Sequence, residues 1–206
     1  MVRIVVLEKR LQHRVDFVRA ITRTPDSWYY KINPSGRVPY LVLDDGVGIE
    51  ESTLIIRHLD HGDGNPVFGH PDGAEGWEFR RLEARAKSLI DGLSVWSREM
   101  HRPPEDQSST IIAHERERAR RLTNWWETSI DHPLMNGPLN VAQITLICAL
   151  KIDRVNIQHN WRGRCPKLDQ WAIRLGKRPS LMTALPNENG NFFDPANQDE
   201  GVRVSS

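Results

Sequence analysis

The stretch from Asn33 to Leu59 restricts what this chain can fold into more than any other part of it. It opens with an Asn33-Pro34-Ser35-Gly36 turn and passes through Val38-Pro39 into the apolar run Leu41-Val42-Leu43. It then turns at Asp45-Gly46, returns through Val47-Gly48-Ile49, and reaches Glu51-Ser52 ahead of a helix. Pro39 has no backbone N–H, and a cis peptide before it would turn the chain sharply at the mouth of a strand. Such a turn leaves the N–H and C=O of Val38 facing outward, free to pair with an extended peptide as an added strand. The run 41–43 predicts a strand buried on both faces. Asp45-Gly46 is a strong hairpin signal, with Val47 to Ile49 as the returning strand. Glu51-Ser52 falls at a helix N-terminus, where unpaired N–H groups and the helix dipole attract an anion.

Each feature alone has a plainer use. Ser52 reads most readily as an N-cap, and an acid such as Glu51 in a first helical turn complements the dipole. Their order and spacing together narrow the choice. In that arrangement the stretch resembles the glutathione-binding half of the glutathione S-transferase family, and the resemblance extends from residue 1 to about 185. It implies an α/β thioredoxin-like N-terminal domain and an all-helical C-terminal domain. Glutathione would be the co-substrate, held by Arg37, Val38, Pro39, Glu51 and Ser52. The Ser52 hydroxyl and N–H would take the γ-glutamyl carboxylate, Glu51 the γ-glutamyl ammonium, and Arg37 the glycyl end. The resemblance further implies transfer of glutathione to a small hydrophobic electrophile, or its use as a reductant, by a cytoplasmic homodimer.

A departure accompanies the likeness. In the family a strand and a loop bearing the sulfur-activating Ser, Tyr or Cys precede the first helix, whereas Met1 already falls in that helix. The first strand and the catalytic residue are therefore missing from the N-terminal domain as it is read here. A central strand is costly to omit, because each buried backbone group left unsatisfied costs about 1–3 kcal/mol. The expectation is that residues upstream of Met1 belong to the protein, with a degenerate domain as the other reading. Arg10 stands where relatives often end the first helix with Gly in a left-handed conformation, which costs a non-glycine residue roughly 1–2 kcal/mol. With no visible activator, the alternative function is non-catalytic: binding glutathione or apolar ligands, or acting as a dimeric interaction module.

Composition agrees with one or two compact domains. The chain has 206 residues, with 28 basic and 27 acidic side chains for a net charge of +1. No long-range field draws it to nucleic acid or to a membrane surface. Two cysteines, Cys148 and Cys165, are too few for a disulfide framework and suit a reducing cytoplasm. The apolar run Ile4 to Leu7 is too short for a signal peptide or a membrane span.

Periodicity supplies the rest. Val2, Val5, Val6 and Leu7 predict an amphipathic helix over the first ten residues or so, and Val15, Phe17 and Ile21 predict a strand over about 14–20. Thr24-Pro25-Asp26-Ser27 opens a helical turn bearing Trp28, Tyr29 and Tyr30. Residues 1–62 form the predicted thioredoxin-like domain, and 63–73, rich in Gly, Pro and Asp, a linker. The helical domain runs over 74–187, with helices at about 74–101, 108–131, 140–154, 166–177 and 179–185, followed by a polar tail over 188–206.

Within the helical block, Gly137-Pro138-Leu139-Asn140-Val141-Ala142-Gln143-Ile144 resembles the capped start of the family's core helix. Asn140 and Gln143 are placed to satisfy each other's first-turn N–H groups. Arg164 beside Cys165 suggests a lowered thiol pKa, although nothing around Cys165 suggests catalysis and Cys148 reads as a core residue. The charged run His114 to Arg121 mixes both signs and reads as a solvated helix face. His58 and His61 lie near a helix end without a completing ligand set, so no metal site is expected. Of Trp77, Trp96, Trp125 and Trp126, the family likeness lets one or two face the electrophile.

Overall fold

A computed structural model describes residues 1–154, 156 and 158–185 of the chain. It divides into two compact units, Met1–Pro66 and a second beginning at Val67. The predicted tail over 188–206 lies outside the described residues.

In the first unit, helix α1 (Val2–Glu8) buries Ile4, Val5 and Val6. It closes with the N–H of Leu11 donating to the carbonyl of Val6 at 2.8 Å and that of Arg10 to Leu7 at 3.2 Å. This is the double closure that requires a left-handed residue, and Arg10 supplies it at φ 54°. A 3-10 turn over Trp28–Lys31 follows, with the Tyr29 N–H donating to the Ser27 hydroxyl at its start. Strands β1 (Tyr40–Val42) and β2 (Gly48–Glu50) pair antiparallel, Tyr40 opposite Glu50, Leu41 opposite Ile49 and Val42 opposite Gly48. Asp45 Oδ1 accepts the Val47 N–H at 2.9 Å, and Gly46 takes a positive φ of 84°. The Asp-Gly turn therefore forms as its chemistry predicts. Helix α2 (Ser52–His61) buries Ile55, Ile56 and Leu59 and packs on α1.

Two expectations for this unit fail. Residues 14–20 form no strand, and Phe17, Val18 and Ile21 are exposed. Strand structure needs a ladder partner to satisfy its backbone, and the described sheet contains β1 and β2 alone. Nor is the Leu41–Leu43 run buried on both faces: Val42 is 51% exposed. With one neighbouring strand and one packed face, a hairpin can bury only alternate side chains.

The second unit is helical throughout its described residues. Its helices are α3 (Gly76–Met100), α4 (Ser109–Ser129), α5 (Pro133–Asn136), α6 (Val141–Leu150), α7 (Pro166–Gly176) and α8 (Pro179–Ala184). Helix α6 continues as a 3-10 turn over Lys151–Arg154. Every residue of α6 except Val141 and Cys148 is buried, as expected for a helix apolar on all sides, and it packs against α3, which also packs on α4. Trp96, Trp126 and Trp161 are fully buried, and the Trp161 indole donates to the Leu150 carbonyl at 3.3 Å. Trp77 is exposed, while half-buried Trp125 carries the Arg85 guanidinium 4.6 Å from its ring centre. Over His114 to Arg121 only Glu115 and Ala119 are buried, so the run is the solvated face the charges predict.

The α6 cap forms in half. Asn140 Oδ1 accepts the Gln143 N–H at 3.1 Å, but the Gln143 amide turns away and donates to the carbonyls of Leu134, Gly137 and Pro138 at 2.9, 3.3 and 3.2 Å. Buried carbonyls of the preceding loop need donors, and a neutral amide can supply them where a carboxylate cannot. Cys165 also departs from expectation. Burial pushes its thiol up, outweighing the Arg164 charge beside it, and its Sγ donates to the Thr123 carbonyl at 3.6 Å.

Candidate functional site

The register of the hairpin assembles the candidate site in the first unit. Because Tyr40 pairs with Glu50, the residues just before one strand and just after the other lie at the same end of the sheet. Pro39, Val38 and Arg37 are thereby brought beside Glu51 and Ser52. Ser35 ties the two sides together, its hydroxyl donating to Glu50 Oε2 at 2.6 Å.

On one side is an extended backbone edge. The Val38-Pro39 peptide is cis, and Val38 is 59% exposed. Among the described residues nothing hydrogen-bonds to the N–H or C=O of Val38. The Arg37 side chain beside it is exposed and pairs with no carboxylate among the described residues.

On the other side is the start of α2. Glu51, not Ser52, holds the N-cap position, with φ 75° and ψ 116°, and no side chain caps the helix. A non-glycine residue in such a conformation costs of order 1–3 kcal/mol and persists only where its surroundings impose it. The first-turn N–H groups of a ten-residue helix are thus left without a side-chain acceptor, which is the arrangement that binds anions. Ser52 is the first helical residue and is buried. Its hydroxyl donates to Glu51 Oε1 at 3.2 Å and lies 3.8 Å from Met1 Sδ. The plain reading of Ser52 as an N-cap therefore does not hold, because a residue already inside the helix is one position too late to serve its first N–H groups.

Behind the Val38 edge stand two buried polar side chains that the sequence reading passed over. The Tyr29 hydroxyl and Asn33 Nδ2 both donate to the Arg37 carbonyl, the latter at 2.9 Å. Asn33 Oδ1 meanwhile accepts from the Ser35 N–H at 3.1 Å and lies 3.0 Å from the Ser35 hydroxyl oxygen. The Asn-Pro-Ser signal was legible as a turn in which Asn bonds two residues on. Its second set of bonds, to Arg37 and Tyr29, needed the folded chain.

A separate open groove of about 300 Å³ is lined by Ile49, Leu54, Arg57, His58 and His61. Among the described residues no group of three or more His, Cys, Asp or Glu is arranged to hold a metal ion, and no helix is long and apolar enough to cross a membrane.

Residues 1–61 match the family described as glutathione S-transferase, N-terminal domain. The chain is 28% identical over 187 residues to the GST-like protein YibF of Escherichia coli, covering 89% of this chain and 91% of the relative. Gtt2 of Saccharomyces cerevisiae superposes with a TM-score of 0.75 at 29% identity, covering 88% of this chain and 92% of that one. A glutathione transferase family member from Pseudomonas fluorescens, crystallised with bound glutathione, superposes with a TM-score of 0.81 at 26% identity, covering 90% and 92%.

Proposed function

We propose, from the premise that this chain belongs to the glutathione S-transferase family, that it binds glutathione across the Val38 edge and the start of α2. The observation that carries the proposal is the hairpin register, which sets an unpaired backbone edge beside an uncapped helix N-terminus. The Val38 N–H and C=O pair with the cysteinyl backbone of the tripeptide as an added strand. The γ-glutamyl carboxylate sits at the α2 N-terminus on the Ser52 hydroxyl and N–H, and Glu51 accepts from the γ-glutamyl ammonium. Arg37, exposed beside Pro39, meets the glycyl carboxylate. A relative of similar fold holding glutathione supports the same ligand here.

The bound thiol is transferred to, or used to reduce, a small apolar electrophile. The chain works as a homodimer, for which the groove beside Ile49 and Leu54 offers an apolar surface, and in the cytoplasm, which suits its two free cysteines.

Calorimetric titration of the full chain with glutathione tests the binding. Saturable heat with one site per chain is expected, and no binding at millimolar glutathione overturns it. Turnover of a chromogenic electrophile with glutathione then separates a transferase from a protein that only carries the tripeptide.

A further inference from the structure

The Arg37 carbonyl is held by more than satisfaction of its hydrogen bonding requires. One donor would meet the needs of a half-buried carbonyl, yet the Tyr29 hydroxyl and Asn33 Nδ2 both reach it, occupying both of its lone pairs. The two donors also touch each other, Asn33 Nδ2 lying 3.3 Å from the Tyr29 oxygen. Both side chains are buried, at 5% and 2% exposure, so their positions are set by packing and not by solvent. Asn33 is in turn fixed by the Ser35 N–H, and the Ser35 hydroxyl accepts the Arg37 N–H at 3.2 Å and donates to Glu50 on β2.

We infer that Tyr29 and Asn33 are positioning residues for the bound tripeptide, acting through the Arg37–Val38 peptide unit. That unit is trans, and in a trans peptide the C=O and N–H point in opposite directions. Two buried donors drawing the Arg37 oxygen inward therefore aim the Val38 N–H outward, toward an added strand. Neither side chain touches the ligand. Their contribution is to hold the donor in its binding direction before the ligand arrives, so that less ordering remains to be done on binding. The Ser35 link to Glu50 fixes this edge to the strand that leads into α2, the other half of the site.

The inference rests on glutathione binding as proposed above, and the experiment separates the two. Tyr29→Phe removes the hydroxyl and keeps the ring. Ser27→Ala loosens the same 3-10 turn by removing its cap, but leaves both donors to Arg37 in place. Glutathione affinity by calorimetry should fall about fivefold in Tyr29→Phe, the equivalent of one neutral hydrogen bond. Ser27→Ala should bind as the parent does, even with an equal or larger drop in melting temperature. Parent-like affinity in Tyr29→Phe, or equal weakening in both variants, overturns the inference. Should the parent itself fail to bind, the glutathione assignment falls, and the amide order parameter of Val38 by ¹⁵N relaxation still judges the clamp. A lower value in Tyr29→Phe than in Ser27→Ala sustains it, and an unchanged value removes it.

Discussion

Lys9 and Asp60 form an ion pair whose side chains are only 4% and 2% exposed, with Lys9 Nζ 3.5 Å from Asp60 Oδ1. The same ammonium lies 2.8 Å from Asp63 Oδ1 and donates to the Asn65 carbonyl at 2.7 Å. One buried cation thus joins the end of α1 to the end of α2 and the loop beyond. Its three donors are met by three acceptors, as a buried ammonium requires.

Replacing Lys9 by Met keeps the aliphatic stem and removes the charge. Breaking a buried pair from one side leaves the other charge in a poorly solvated place, at a cost of about 3–5 kcal/mol. Urea unfolding of Lys9→Met, followed by a probe in the first unit, should show a loss in that range. A loss below about 1 kcal/mol would place the pair among surface ion pairs.

Arg10 should be improvable. It closes α1 in a left-handed conformation, and its side chain is exposed, so little packing is lost with it. Arg10→Gly removes the steric cost of that conformation, roughly 1–2 kcal/mol, against some added freedom of the unfolded chain. A net gain of about 0.5–1 kcal/mol is expected in thermal or urea unfolding. Arg10→Ala, which keeps the Cβ, should show no such gain.

His159 sets a lower pH limit on stability. Burial first, and the charges of Arg164 and Arg162 next, push its pKa from 6.5 down to about 4. The folded chain thus binds a proton less readily than the unfolded one, so stability is fully present above pH 6.5 and falls as the pH drops toward 4. From pH 7 to pH 5 the loss from this group is about 2 kcal/mol, from a shift of that size at 1.36 kcal/mol per unit. Urea midpoints at the two pH values measure it, and His159→Leu should remove that part of the difference.

Ser52→Ala tests the anion end of the glutathione site. Since Ser52 lies within α2 and caps nothing, its hydroxyl is not spent on the helix. Loss of a hydrogen bond to a charged ligand group should weaken glutathione by about 1.5–3 kcal/mol in calorimetric titration. Melting temperature should change little. Equal affinity in parent and variant would remove Ser52 from the site.

The features readable in the amino-acid sequence were those whose cause lies within a few residues. The Asp45-Gly46 turn follows from local backbone chemistry, whereas the left-handed close at Arg10 was legible only through the family resemblance. The long helices follow from apolar periodicity, and α6 from apolar residues on every side. What the tertiary structure alone decided were matters of partnership. Residues 14–20 have strand-like alternation, but a strand exists only when another backbone pairs with it. Ser52 has the chemistry of an N-cap, but the hairpin's exit hands that position to Glu51 and leaves the hydroxyl for other use. Gln143 and Cys165 were likewise reassigned by what surrounds them, loop carbonyls in one case and a dry interior in the other. The grip of Tyr29 and Asn33 on the Arg37 carbonyl depends on a turn that folds back over eight residues. Local rules report what a residue is able to do, whereas burial and the placement of distant donors and acceptors determine which of those capacities is used.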